Sequence, residues 1–206
     1  KTDAEPGKSI PVRDAAADPG MIDLTAYYNG ALDETWQAGG ISNNHLGDLP
    51  REIQEFSGVR FDVRGVVQIA GRLAEQQLSV RFPKAVEDIA VGRQGTKLHF
   101  LHACGWSVPQ GTQVGTYVIH YANGQQQQVP INYGKDVVDW WMSQGTDGTS
   151  VNVAWRGRNN AAPNDPQIGV FKTTWNNPRP DQEIASIDYR SAMTEAAPFL
   201  IAISVE

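Results

Sequence analysis

Cysteine is nearly missing from this chain of 206 residues: Cys104 stands alone, so no intrachain disulfide can form. A domain stapled by cystines is excluded, although an oxidising compartment is not. No apolar run approaches the roughly 18–20 residues of a membrane-spanning helix. Positive charge is also short, with 17 Lys and Arg against 23 Asp and Glu, a formal net charge of −6. Binding to nucleic-acid phosphates needs a basic face, and docking on an anionic membrane needs a basic block. Neither is present, so neither nucleic acid nor direct membrane insertion is expected. No signal-peptide pattern is visible and the first residue is Lys. The expectation is a processed or truncated chain from which a signal or anchor has been removed.

Helical periodicity is scarce as well. Only "LPREIQEF" (49–56) suggests a helical turn, and neither heptads nor internal repeats occur. Residues 1–20, "KTDAEPGKSIPVRDAAADPG", hold three prolines and little apolar content. They read as a linker or draped N-terminal arm, with an upstream domain implied. Residues 21–206 read as one domain.

What is abundant is strand signal. "VRFDV" (59–63) alternates apolar with charged residues. "TKLHFLHA", "VGTYVIHYA", "QQQVPI", "VNVAWRG", "IGVFKTTW", "EIASIDYRS" and "FLIAISV" are short and β-branched or aromatic, bounded by Gly, Pro, Asn or Asp. "GVVQIAG" and "VEDIAVG" are two more. "YANGQ" predicts a tight hairpin at Asn123-Gly124. "TWNNPRPDQEI" predicts a longer, stiffer hairpin corner. About ten short strands at this spacing predict an all-β protein, a sandwich or a barrel.

The segments "FSGVRFDVRGVVQIAG", "LHFLHACGWSVPQGTQVGTYVIHYANG", "DVVDWW" and "FKTTWNNPRPDQEIASIDYRSAMTEAAPFLIAISVE" carry a resemblance. Residues 22–206 resemble a galactose-binding-like, jelly-roll β-sandwich module. Such modules end bacterial secreted or membrane-anchored proteins and some carbohydrate-active enzymes. The resemblance implies an extracytoplasmic module that binds carbohydrate or another surface ligand through loops at one end, often with a structural calcium. It carries over no site residue, and fold alone does not give function.

Few residues suggest catalysis. "GWSVP" (105–109) has Pro109 where a nucleophile elbow needs Gly, so Ser107 is read as part of a turn. His99 and His102 point to opposite faces of a strand. His102 and His120 could meet across neighbouring strands, but no third ligand completes a transition-metal site. The Asp and Glu residues form no legible catalytic pair. "YYNGALDE" (27–34) and "TDGTS" (146–150) are oxygen-rich enough to be considered for calcium, without matching an EF-hand.

The six tryptophans point to binding. An indole face suits the apolar face of a sugar ring, with nearby polar groups taking the hydroxyls. Trp155, in phase with Val151 and Val153, and Trp175, in phase with Phe171, are expected in the core. Trp106 ends a strand. In "KDVVDWWMSQ" (135–144), a strand would set Val138, Trp140 and Met142 on one face and Asp139, Trp141 and Ser143 on the other. Trp140 is therefore expected inside and Trp141 outside. The candidate ligand contacts are Trp141, Trp106, Asp139 and Asp136. Two alternatives stay open: a structural or protein-interaction domain of an envelope or signalling protein, and a hydrolase.

Overall fold

Apolar and β-branched runs punctuated by Gly, Asn and Pro do become strands. The computed structural model describes residues 10–142, 146–159, 161 and 167–206. In order these form β1 (Gly30–Ala31), β2 (Glu52–Phe56), β3 (Val59–Val63), β4 (Gly65–Gln68), α1 (Arg72–Gln77), β5 (Ala85–Arg93) and β6 (Lys97–Gly105). Then come β7 (Gln113–Tyr121), β8 (Gln126–Asn132), β9 (Val153–Arg158), β10 (Gln167–Asn176), β11 (Ile184–Ser191) and β12 (Ala197–Val205). One sheet runs β1-β4-β12-β6-β10-β9, a second runs β5-β11-β7-β8, and β2-β3 form a separate hairpin. Every strand pair is antiparallel. The chain is all-β, with an architecture consistent with a β-sandwich.

The two larger sheets meet through aromatic side chains. Phe100 of β6 stacks on Tyr117 of β7 at 3.9 Å between ring centroids, and Tyr117 stacks on Tyr189 of β11 at 5.0 Å. β6 and β12 are buried almost throughout, on both faces. The second face of β12 packs against the β2-β3 hairpin, where Ser204 Oγ donates to the Arg60 carbonyl at 2.5 Å and Phe56 and Phe61 are buried. Strands covered on both sides read as continuous apolar runs, as "FLIAISV" does.

His102 and Tyr117 form a buried polar contact between the sheets. His102 Nδ1 lies 3.0 Å from Tyr117 Oη and Nε2 lies 2.8 Å from Thr173 Oγ1. Burial lowers the imidazole pKa to about 3, so the ring is neutral and uses one nitrogen as donor and the other as acceptor. His99, on the opposite face, bonds Thr174 and Glu206 instead. His102 and His120 do not meet across neighbouring strands, an arrangement the sequence leaves open: β6 and β7 enter different sheets, and His120 bonds Asp188 on β11 at 2.8 Å.

Several local expectations change in three dimensions. "LPREIQEF" is no helical turn; its second half is β2, pinned by pairing to β3. The helix lies at Arg72–Gln77, a segment too short to show a period. The 121–125 turn uses positive φ only at Gly124 (84°), with Gly124 N–H donating to the Tyr121 carbonyl at 2.9 Å. That is a three-residue hairpin loop rather than a two-residue one. The stiff corner after Trp175 is not a hairpin, because β10 and β11 belong to different sheets. Buried Asn177 holds it, accepting from Tyr121 Oη at 2.6 Å and donating to the Gly95 carbonyl at 2.7 Å. Trp155 and Trp175 are half-buried, packed against the core from its margin rather than within it. Trp155 sits on β9, an outermost strand with a neighbour on one side only.

The first nine residues of the expected N-terminal arm lie outside the described residues. The remainder is clipped to the sandwich. Arg13 Nη1 reaches buried Asp62 Oδ2 at 2.7 Å, and buried Arg64 binds Asp62, Asp23 and the Pro11 carbonyl. Two cations and two carboxylates thus compensate one another where the arm docks.

Candidate functional site

β6 ends at Gly105, and the segment after β8 returns beside it. Cys104 and Asp139 form an isolated parallel bridge, with Trp140 N–H donating to the Cys104 carbonyl at 2.8 Å. The chain then turns, Met142 N–H donating to the Asp139 carbonyl at 3.0 Å. The segment is therefore not a sheet strand, but its brief extension gives the expected split. Val138, Trp140 and Met142 are buried, whereas Asp139 and Trp141 are only partly buried, with Trp141 packed against the core from its margin; Ser143 lies outside the described residues. Val137 is also buried, since it sits at a second bridge, to Tyr133.

Trp140 anchors the loop from below. Its ring lies 5.3 Å from Trp36 and 5.8 Å from Phe199, and Trp36 and Phe199 are themselves 5.6 Å apart. Under this trio a buried Gln68 is fully engaged. Its Oε1 accepts from Trp36 Nε1 and Gln37 Nε2, while its Nε2 donates to the carbonyls of Ile69, Ala197 and Pro198. A satisfied buried network of this kind makes a rigid floor.

Above that floor is a cavity of about 450 Å³, within the usual range for small-ligand sites. Trp106, Trp141 and Asp139 all line it, together with Gln37, Asn44 and Gln77. Ile41, half-exposed, adds an apolar rim. Each wall indole is held by an amide oxygen. Trp106 Nε1 donates to Gln77 Oε1 at 3.2 Å, and Trp141 Nε1 donates to Asn44 Oδ1 at 2.8 Å. Both rings also pack against the core, so each presents to the cavity the part that the core leaves uncovered.

No protein-family model matches the chain, and no curated protein is significantly similar to it. The reading of the site therefore stands on its own geometry.

Two features shape this cavity. First, Trp106 has φ of +62°, a left-handed conformation that bulky residues rarely adopt. Six other non-glycine residues among those described also have positive φ, Glu52 and Met193 among them, so the conformation fixes the direction of the Trp106 ring without by itself marking a site. Second, Asp139 is a deeply placed carboxylate. Burial raises its pKa; the Trp141 N–H, at 3.1 Å from Oδ1, and the Ser107 hydroxyl, at a long 3.5 Å from Oδ2, pull it back.

Asp136 is not part of this arrangement. It is buried, and its Oδ2 accepts from the Asn132 backbone N–H at 2.8 Å, closing the turn after β8. Burial raises its pKa too, against the Asn132 and Lys135 contributions. Asn44, Gln77, Gln37 and Ile41 were not legible as site residues. They come from loops and a helix end far off in sequence, and polar residues in loops carry no distinguishing pattern.

In the oxygen-rich stretches several polar groups bond within the protein. Asn29 exchanges two 2.8 Å bonds with the backbone of Gln68, and Asp33 pairs with Arg51 at 3.0 Å. In 146–150, Thr149 N–H and hydroxyl both turn back to the Thr146 carbonyl. Among the described residues, no three His, Cys, Asp or Glu side chains converge as metal ligands.

Proposed function

We propose that this chain is a non-catalytic carbohydrate-binding module of the jelly-roll, galactose-binding-like kind, working outside the cytoplasm as one part of a larger protein. The observation that carries the reading is the convergence of Trp106, Trp141 and Asp139, three of the four candidate contacts named from the sequence, on one cavity of ligand size. Two partly buried indoles that line the cavity offer surface for sugar rings, and Asp139 with the surrounding amides offers hydrogen bonds to hydroxyls.

Hydrolysis is the weaker reading. Two opposed carboxyl groups are needed for glycoside cleavage, and Asp139 is the only carboxylate lining the cavity among the described residues. A flat protein-docking face also has less support. The exposed large apolar side chains among the described residues are Val12 and Ile41, too few for a contiguous patch. Calcium takes no part in the proposed contacts.

Calorimetric titration against plant, algal and bacterial polysaccharides tests the reading. At least one is expected to bind, with Trp141→Ala and Trp106→Ala each abolishing the heat. Absence of binding across the whole panel would overturn it.

A further inference from the structure

We propose that the cavity selects a glycan bearing a free cationic amine, with Asp139 as the counter-charge and Trp106 and Trp141 as the flanking aromatic walls. This deepens the carbohydrate reading above and rests on it. Of the described residues that line the cavity, Asp139 alone carries a formal charge. Among the described residues it makes no ion pair; it accepts only from the Trp141 backbone N–H and, weakly, from Ser107.

Three carboxylates are more deeply buried than Asp139. One of them, Asp136, also makes no ion pair among the described residues but faces the Asn132 backbone rather than a cavity, and the other two are paired. Asp62 meets Arg13 and Arg64, and Asp188 meets His120 and Arg190. Asp139, by comparison, opens onto a cavity without a cation beside it. An uncompensated carboxylate is costly to hold in low dielectric, and an entering cation restores the balance. Indole faces also attract cations through the ring quadrupole. A neutral sugar would use the hydrogen-bonding capacity but neither charge term, and an acidic sugar would be repelled. The ionisable groups packed against Asp139 are Cys104 and Tyr133, whose pKa values burial raises, so both are neutral at pH 7. Neither offers the carboxylate a positive charge.

Calorimetry at pH 6 compares β-1,4-linked glucosamine tetramer with its fully N-acetylated counterpart, in 20 mM and 300 mM salt. The free-amine tetramer is expected to bind at least tenfold more tightly, with the preference shrinking at high salt. Asp139→Asn, which keeps an acceptor for the Trp141 N–H, should bring the preference close to one. Lowering the pH through the raised pKa of Asp139 should weaken the amine tetramer and leave the acetylated one unaffected. Equal affinities in the unmodified protein would overturn the amine selection while leaving the carbohydrate reading in place, and that comparison depends on no variant folding. Failure of both tetramers and of every other glycan would overturn both. A preference that survives Asp139→Asn would remove Asp139 from the role.

Discussion

Trp141 and Asn44, 97 residues apart in sequence, are joined by a 2.8 Å hydrogen bond from the indole N–H to the amide oxygen. The same oxygen receives Asn159 Nδ2 at 3.1 Å. Asn44 is buried, so its amide sets the plane of the ring that faces the cavity. Asn44→Ala leaves the Trp141 indole N–H without its partner and Asn159 Nδ2 with only the His45 carbonyl, at a cost of about 1–3 kcal/mol. It should also weaken ligand binding by about tenfold, because the indole is no longer oriented. Urea unfolding and calorimetry on the same variant separate the two effects.

The adjacent tryptophans should respond differently to truncation. Trp140 is 2% exposed and wedged between Trp36 and Phe199, so Trp140→Ala should cost roughly 3–5 kcal/mol in urea unfolding. Trp141→Ala removes a partly buried wall and should cost about 1 kcal/mol while abolishing binding. Equal destabilisation would make the pair a single packing unit.

Trp106 offers an inverted substitution order. In ordinary extended backbone, Gly is less stable than Ala. At a φ of +62° the order reverses, since only Gly occupies that region without steric cost. Trp106→Gly is expected to be about 1 kcal/mol more stable than Trp106→Ala in thermal unfolding. Both should lose the ligand. The usual order would mean that the loop relaxes once the indole is gone.

His102 makes stability depend on acid. An imidazole titrates near pH 6.5 when unfolded, whereas burial lowers the folded value to about 3. Between those values the unfolded chain binds the proton and the native chain does not. Stability is therefore intact above about pH 6.5 and is lost as pH falls, by about 1.4 kcal/mol per unit. Asp136 and Asp139, with raised folded pKa values, act in the opposite sense as they protonate. Comparing the protein with His102→Gln isolates the histidine: the variant's urea midpoint should fall less between pH 6.5 and pH 4.5. Parallel slopes would show that His102 is already protonated in the native state.

The split of Trp140 from Trp141 was readable because a backbone held extended, even over three residues, alternates its side chains. The element itself was not readable. The segment pairs in parallel with the end of β6 through Cys104, a contact across 35 positions that no local pattern announces. Asp136 and Asp139 looked equivalent beside the tryptophans. A turn directs one to the Asn132 backbone and the other toward the cavity. Trp155 and Trp175 kept the phase expected of core residues, yet their depth depends on strand order, which phase does not carry.

Composition and alternation by themselves determined that this chain is built of strands, carries no cystine and turns one of two neighbouring tryptophans outward. These follow from local sterics and the two-residue period of extended chain. Only the tertiary structure decided that β6 and β7 part into different sheets, that Asn44 and Gln77 hold the two wall indoles, and that Asp139 lines a cavity without a neighbouring cation. Each depends on chain segments brought together by burial of a shared apolar core, and that choice is made over the whole chain at once.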